Sequence, residues 1–210
     1  MTEALPWLEG RRAFLAGNGE VIGHVADALA LHGAKVFVLS GASPEGADAE
    51  ANLLAAEAAL GGPPDILVHS GSAERPAPAH GLDLLAWRAA VSSDIDRRFL
   101  DSAAFLRRRL KAGGGGGGAI LFLLPGAGGA GRAAQATIRG GMENLIKSLA
   151  VEWARDGVRI NGVASRACEA EGLADPAARA SLGHLAAYLV SDYAAYVSGM
   201  VMGVDDIGAG

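Results

Sequence analysis

Short, almost wholly apolar runs alternate along this chain with longer stretches in which apolar residues return every three or four positions. The runs at 12–16, Lys35-Val36-Phe37-Val38-Leu39, Asp65-Ile66-Leu67-Val68-His69, Ala119-Ile120-Leu121-Phe122-Leu123-Leu124, 158–163 and 200–204 read as strands. Their continuous hydrophobicity suits strands buried on both faces of a parallel sheet. The stretches at 21–32, 47–60, 82–111, 133–156 and 185–190 predict helices. Strands alternating with helices imply an α/β fold, a doubly wound parallel sheet, as a single domain over 1–210. The helix at 82–111 is expected to break near Ser92-Ser93. Within it Ile95, Phe99, Ala103, Leu106 and Leu110 make an apolar stripe, with Arg97, Arg98, Asp101 and Arg107 off it. In 133–156, Met142, Leu145, Leu149 and Trp153 share one face. The six glycines at 113–118 predict a flexible surface connection without chemistry.

The first strand meets the first helix at Ala16-Gly17-Asn18-Gly19-Glu20-Val21-Ile22-Gly23. A glycine turn of this kind suits a dinucleotide pyrophosphate. Glycine lets the backbone approach, and the helix N-terminus offers free N–H groups and a positive dipole end. Here Glu20 puts a carboxylate where phosphate oxygens would lie, and the β-branched Val21 stands at a point of close approach. The formal charge of -5 argues against nucleic acid or an anionic membrane as partner. Half the chain is apolar and 31 residues are glycine, which predicts tight helix–sheet packing rather than disorder. Cys168 is the only cysteine, so no internal disulfide forms, and no Cys/His cluster has the spacing of metal ligands. No run approaches membrane-spanning length and no leader pattern opens the chain, so a cytoplasmic location is expected.

Four segments resemble the short-chain dehydrogenase/reductase family. They are Asp65-Ile66-Leu67-Val68 followed by a small-residue turn, Asn144-Leu145-Ile146-Lys147-Ser148-Leu149-Ala150, Val158-Arg159-Ile160-Asn161-Gly162-Val163, and Ser191-Asp192-Tyr193-Ala194-Ala195-Tyr196-Val197-Ser198-Gly199. They occur in the family's order and run almost from end to end. The resemblance implies a Rossmann-like sheet, NAD(P)(H) hydride transfer, dimers or tetramers, and a catalytic Ser, Tyr, Lys and Asn. Aligned on Lys147-Ser148-Leu149-Ala150, the Tyr and Lys positions hold Gln135 and Arg139, the Ser position holds Pro125, and the Asn position holds Asp94. A Gln amide cannot exchange a catalytic proton near neutrality, and proline has no hydroxyl to orient a substrate. No Tyr lies between Met1 and Ala187. The interval from Leu39 to Ile66 has room for one helix. The family fits a helix, a strand with an adenine-contacting Asp and a second helix there, so one helix–strand unit is missing. The turn His69-Ser70-Gly71-Ser72 replaces the family's Asn-Asn-Ala-Gly, and 164–182 is short for a lid over substrate.

With these departures the resemblance implies a degenerate, non-catalytic member that is no enzyme on its own. It would pair with a catalytically active homologue through the helices at 94–111 and 133–156. Ile95, Phe99, Leu106, Met142, Leu145, Leu149 and Trp153 would lie at that interface. The partner would bind NAD(P) and act on a β-hydroxy or β-keto substrate, carried on CoA or a carrier protein in one version. This chain would bind no cofactor and no metal, keeping Gly17, Gly19 and Gly23 as a remnant turn. Two other readings stay open: a family-derived enzyme with altered chemistry, and a homo-oligomeric ligand-binding or regulatory module. Among single residues, His69 reads as a polar loop residue, and Asp94 and Asp96 as a cap or solvated site. Arg107-Arg108-Arg109 reads as the basic end of a helix, and Cys168 as incidental.

Overall fold

The computed structural model describes residues 6–17, 19–40, 48–71, 77–113, 117–126, 133–169 and 174–204. Asn18 of the glycine turn and Ser72 of the turn after the third strand lie outside these residues, as does the tail after 204. Six strands form one sheet: β1 (Arg12–Gly17), β2 (Lys35–Ser40), β3 (Ile66–His69), β4 (Gly118–Pro125), β5 (Val158–Ser165) and β6 (Val201–Gly203). Every pairing is parallel and the order is β2-β1-β3-β4-β5-β6. Helices α1 (Glu20–Leu31) and α5 (Pro176–Val190) cover one face, and α2 (Ala49–Leu60), α3 (Leu84–Lys111) and α4 (Ala133–Glu152) the other.

The continuous apolar runs follow from this two-sided burial. Along β4, Ala119, Leu121 and Leu123 pack under α1 and α5, whereas Ile120, Phe122 and Leu124 pack under α2, α3 and α4. Each strand must therefore be apolar at every position, not at alternate ones. Among the described residues the chain passes from β2 to β3 through α2, as the short interval predicts, and β2 is left at the sheet edge.

Helix ends follow local chemistry. Asp48 caps α2 by accepting from the Glu50 amide, and α2 stops at Gly61 with φ 75°. Asp83 caps α3 by accepting from the Ala86 amide at 2.8 Å. Helix α5 begins at Pro176 behind the cap Asp175, well before 185, because a cap and a first-turn proline start a helix even where an Ala-rich stretch shows no periodic stripe.

Three expectations about the long helices need correction. Helix α3 is unbroken over 28 residues. Ser93 is tolerated because its hydroxyl donates to the Ala90 carbonyl at 3.3 Å. Its inward face is also different from the expected stripe: Asp94, Arg98, Asp101 and Ser102 are buried, while Phe99 and Leu110 are 42% and 49% exposed. Finally, Leu106, Met142, Leu149 and Trp153 cannot serve a partner, because they are buried among this chain's own core residues against the sheet. Ile95 and Leu145 are partly buried against the same core. Ile95 Cδ1 lies where a Cβ on Gly141 would meet it at 3.1 Å, so Ile95 joins α3 to α4 within the chain.

Candidate functional site

In an open parallel sheet a ligand sits beyond the carboxyl ends of the strands, where the strand order reverses. Here that point lies between β1 and β3, the strands flanking the reversal. Gly17 and Gly19 both have positive φ, at 130° and 89°, and lead into α1. Among the described residues no side chain caps the amino end of α1, whose first turn carries the Glu20 carboxylate. Val21 does not obstruct the turn: it is 4% exposed and packs in the core beneath α1. Gly23 is a helical residue with open space around it, so no close approach is built on it. A glycine turn and an uncapped helix start fit a pyrophosphate, and Gly17, Gly19 and the first turn of α1 are the residues that would hold one.

Gly17 has a second role. A Cβ there would come within 2.3 Å of Ser70 Oγ and 2.9 Å of Ser70 N. The end of β1 thus lies directly against the end of β3, tied by the Ser70 amide donating to the Ala16 carbonyl at 3.0 Å.

Behind β3 and β4 lies a buried polar cluster centred on Arg98, which is 1% exposed. Its Nε donates to Asp94 Oδ1 at 2.5 Å. Nη1 donates to the carbonyls of His69 and Leu123, each at 3.1 Å, and Nη2 to the carbonyl of Ser70 at 3.0 Å. The guanidinium therefore ties α3 to the ends of two adjacent strands. Asp94 is not a solvated carboxylate or a helix cap: it is the counter-ion of this buried cation.

His69 is likewise not a loop residue. It ends β3, is 2% exposed and has both ring nitrogens engaged. Nδ1 accepts from the Gly71 amide at 2.9 Å, which leaves the proton on Nε2 facing Asp101 Oδ2 at 3.1 Å. Arg97 Nε also reaches that oxygen at 3.3 Å. Burial pushes the His69 pKa below its ordinary value, with the Arg98 charge adding to it, against the opposing pull of Asp101 and Asp94. A second proton would break the bond from Gly71. The consequence for stability has a definite sign. A histidine whose folded pKa is depressed stabilises fully above its unfolded pKa of about 6.5, and that stability is lost as pH falls below it. The unfolding midpoint should thus drop between pH 7.5 and 5.5, and His69→Gln should flatten the dependence in this window. A wild-type midpoint that is level across the window would count against the neutral ring.

The four positions aligned with the family's catalytic set are only partly assembled. Arg139 donates from Nη1 to the Pro125 carbonyl at 3.3 Å and from Nε to Glu143 at 2.9 Å, so those two positions meet. Gln135 lies one turn earlier on α4. Asp94 is turned to Arg98 beneath the strand ends. Beside Pro125, the Gly126 amide donates to Glu169 Oε1 at 3.0 Å. The Asp94–Arg98 and Arg97–Asp101 pairs are both spaced i, i+4, the one sequence signal that could have revealed the cluster. Among the described residues no group of three or more His, Cys, Asp or Glu side chains could hold a metal ion, and no helix is long and apolar enough to cross a membrane.

A six-stranded parallel sheet with a glycine turn at its reversal defines a dinucleotide-type α/β protein. Residues 23–178 match the sequence model of the family described as enoyl-(acyl carrier protein) reductase. Cis-4-hydroxycyclohexanecarboxylate dehydrogenase of Sinomonas cyclohexanicum is 33% identical over 176 residues, covering 75% of this chain and 71% of that protein. Gluconate 5-dehydrogenase of Gluconobacter oxydans is 28% identical over 182 residues, covering 75% and 71%. Among solved structures, TT0495 protein from Thermus thermophilus superimposes with a TM-score of 0.78 at 25% identity, over 93% of this chain and 97% of that one. The 3-ketoacyl-(acyl-carrier-protein) reductase from Brucella melitensis, solved with NADH, shares the fold with a TM-score of 0.77 at 21% identity, over 94% and 98%. The chain belongs to the short-chain dehydrogenase/reductase family. The expectation that it is no enzyme on its own is overturned by these matches, since the family is one of oxidoreductases and the relatives are named dehydrogenases.

Proposed function

We propose that the chain works in an NAD(P)-dependent oxidoreductase that interconverts a secondary alcohol and a ketone on a hydroxy acid or hydroxyacyl substrate. The family match over 23–178 carries this reading, and two relatives whose names specify hydroxy-carboxylates support the substrate class. When bound, the reduced nucleotide supplies a hydride to the carbonyl carbon. In this chain Gly17, Gly19 and the first turn of α1 would seat its pyrophosphate, and Arg139, braced by Glu143 and the Pro125 carbonyl, puts a fixed positive charge beyond β4. The carbonyl oxygen must also receive a proton. Gln135 and Pro125 stand where the family has the phenol and the hydroxyl, so another group delivers that proton, and the chain assembles with a second member of the family. The outward residues Leu85, Phe99 and Leu100 of α3 and Val151 of α4, 42% to 80% exposed, offer apolar surface for the pairing.

The test is to purify the chain alone and after co-expression with a short-chain dehydrogenase/reductase encoded beside it, then follow NAD(P)H oxidation with keto acids. The co-purified assembly should turn over at least about tenfold faster than the chain alone, and Phe99→Asp should reduce both its yield and its rate. Equal turnover by the isolated chain would refute the mixed assembly and keep the oxidoreductase class. No turnover from either preparation would refute both.

A further inference from the structure

We propose that a cleft at the amino ends of β1, β3, β4 and β5, across the sheet from the nucleotide turn, binds a small multivalent oxyanion. The cleft measures about 300 Å³ and is lined by Arg11, Arg109 and Arg159 together with Asp65 and Asp192. This volume is at the lower end for small-molecule sites.

The charge count favours an anion. Arg109 in the lining and Arg12 just outside it both pair with Asp65, while Arg11 pairs with Asp192, so among the described residues Arg11, Arg12, Arg109 and Arg159 stand against two carboxylates. The carboxyl ends of α3 and α5 also point to this side of the sheet. At about half a negative charge each, they reduce the excess without cancelling it. A local surplus of positive charge stands out on a chain whose formal charge is -5.

Arg159 is the fixed cation. Its Nη1 donates to the carbonyls of Leu189 and Ala194 at 2.7 and 3.1 Å, and Nη2 to that of Ser191 at 2.9 Å. These bonds cap α5 and hold the guanidinium in place. Among the described residues it has carbonyl partners and no ion pair. Burial pulls its pKa below the ordinary value, and the neighbouring Arg11 adds to this against the pull of Asp192 and Tyr188. A bound anion would relieve that cost.

The remaining groups are arranged around it. Arg109 is oriented by Asp65 and the Gly117 carbonyl, each at 2.8 Å. Asp65 stays ionised: burial works against it, but the Arg12 amide and guanidinium and the Arg109 charge hold its carboxyl below the usual range. Arg11 meets both oxygens of Asp192 at 2.5 Å, in a pair whose side chains are 38% and 79% exposed. Such an exposed pair contributes little, so Asp192 can yield Arg11 to an incoming anion. Among the described residues a Cβ at Gly117 would meet nothing within 4 Å. Planar guanidiniums from the segment before β1, from α3 and from β5 match clustered anionic oxygens, whether of a phosphate compound or a polycarboxylate.

The experiment is calorimetric titration of the full chain with pyrophosphate and, separately, with citrate, at two salt concentrations. One saturable site is expected for at least one of them, weakening as salt rises; which of the two binds more tightly identifies the source of the oxygens. Arg11→Gln should weaken binding about tenfold. Asp192→Asn removes the competing carboxylate and should tighten it several-fold, a gain that a folding defect cannot imitate. Circular dichroism melting of each variant controls for folding. Absence of saturable binding by both anions, or binding that Asp192→Asn fails to tighten, would overturn the site.

Discussion

Arg98→Met is expected to lower the stability of this protein by about 3–5 kcal/mol, which for a domain of this size corresponds to a fall of roughly 10 °C in melting temperature. The side chain is among the largest fully buried ones in the molecule. Removing its charge leaves the Asp94 carboxylate, 4% exposed, without the cation 2.5 Å from it. It also removes donors from the carbonyls of His69, Ser70 and Leu123. Methionine replaces the aliphatic stem, so the loss is electrostatic rather than a matter of volume. Pairing it with Asp94→Asn should recover a sizeable part of the loss, because a neutral amide is far cheaper to bury than an unpaired carboxylate. Urea titration of the single and double variants measures both quantities. A loss below about 1 kcal/mol for Arg98→Met would mean that the cluster is hydrated rather than buried.

Gly17→Ala should cost about 3–5 kcal/mol, whereas Gly19→Ala in the same turn should cost about 1–2 kcal/mol. Both residues have positive φ, so each substitution carries the dihedral penalty of an L side chain. Only Gly17 is also closed in: its Cβ would lie 2.9 Å from the backbone nitrogen of Ser70 and 3.1 Å from that of Gly71, which cannot rotate away. At Gly19 nothing lies within 4 Å. The difference between the two variants therefore isolates the close packing of β1 on β3 from the cost of the turn itself. Equal losses would show that the strand ends move apart easily, and with them the floor of the glycine turn.

The strands, their parallel pairing and the single helix between β2 and β3 were legible from residue order alone. A strand covered on both faces has to be apolar at every position, and the run Ala119-Ile120-Leu121-Phe122-Leu123-Leu124 meets that requirement without knowledge of any partner. The glycine turn and the family segments were legible for a similar reason, since backbone geometry demands particular residue types at fixed spacings. The face of α3 that meets the sheet was decided only in three dimensions. Hydrophobic periodicity assigns Phe99 and Leu110 inward and Arg98 and Asp101 outward, and the structure reverses both. The reason is that Arg98 finds its acceptors at the ends of β3 and β4, 25 to 29 residues away in sequence, and Asp94 one turn away. Only when the fold has brought those carbonyls together does burying a guanidinium cost less than leaving them without donors. The same holds for the arginine cleft: Arg11 precedes β1, Arg109 lies in α3 and Arg159 in β5, and no spacing along the chain relates them.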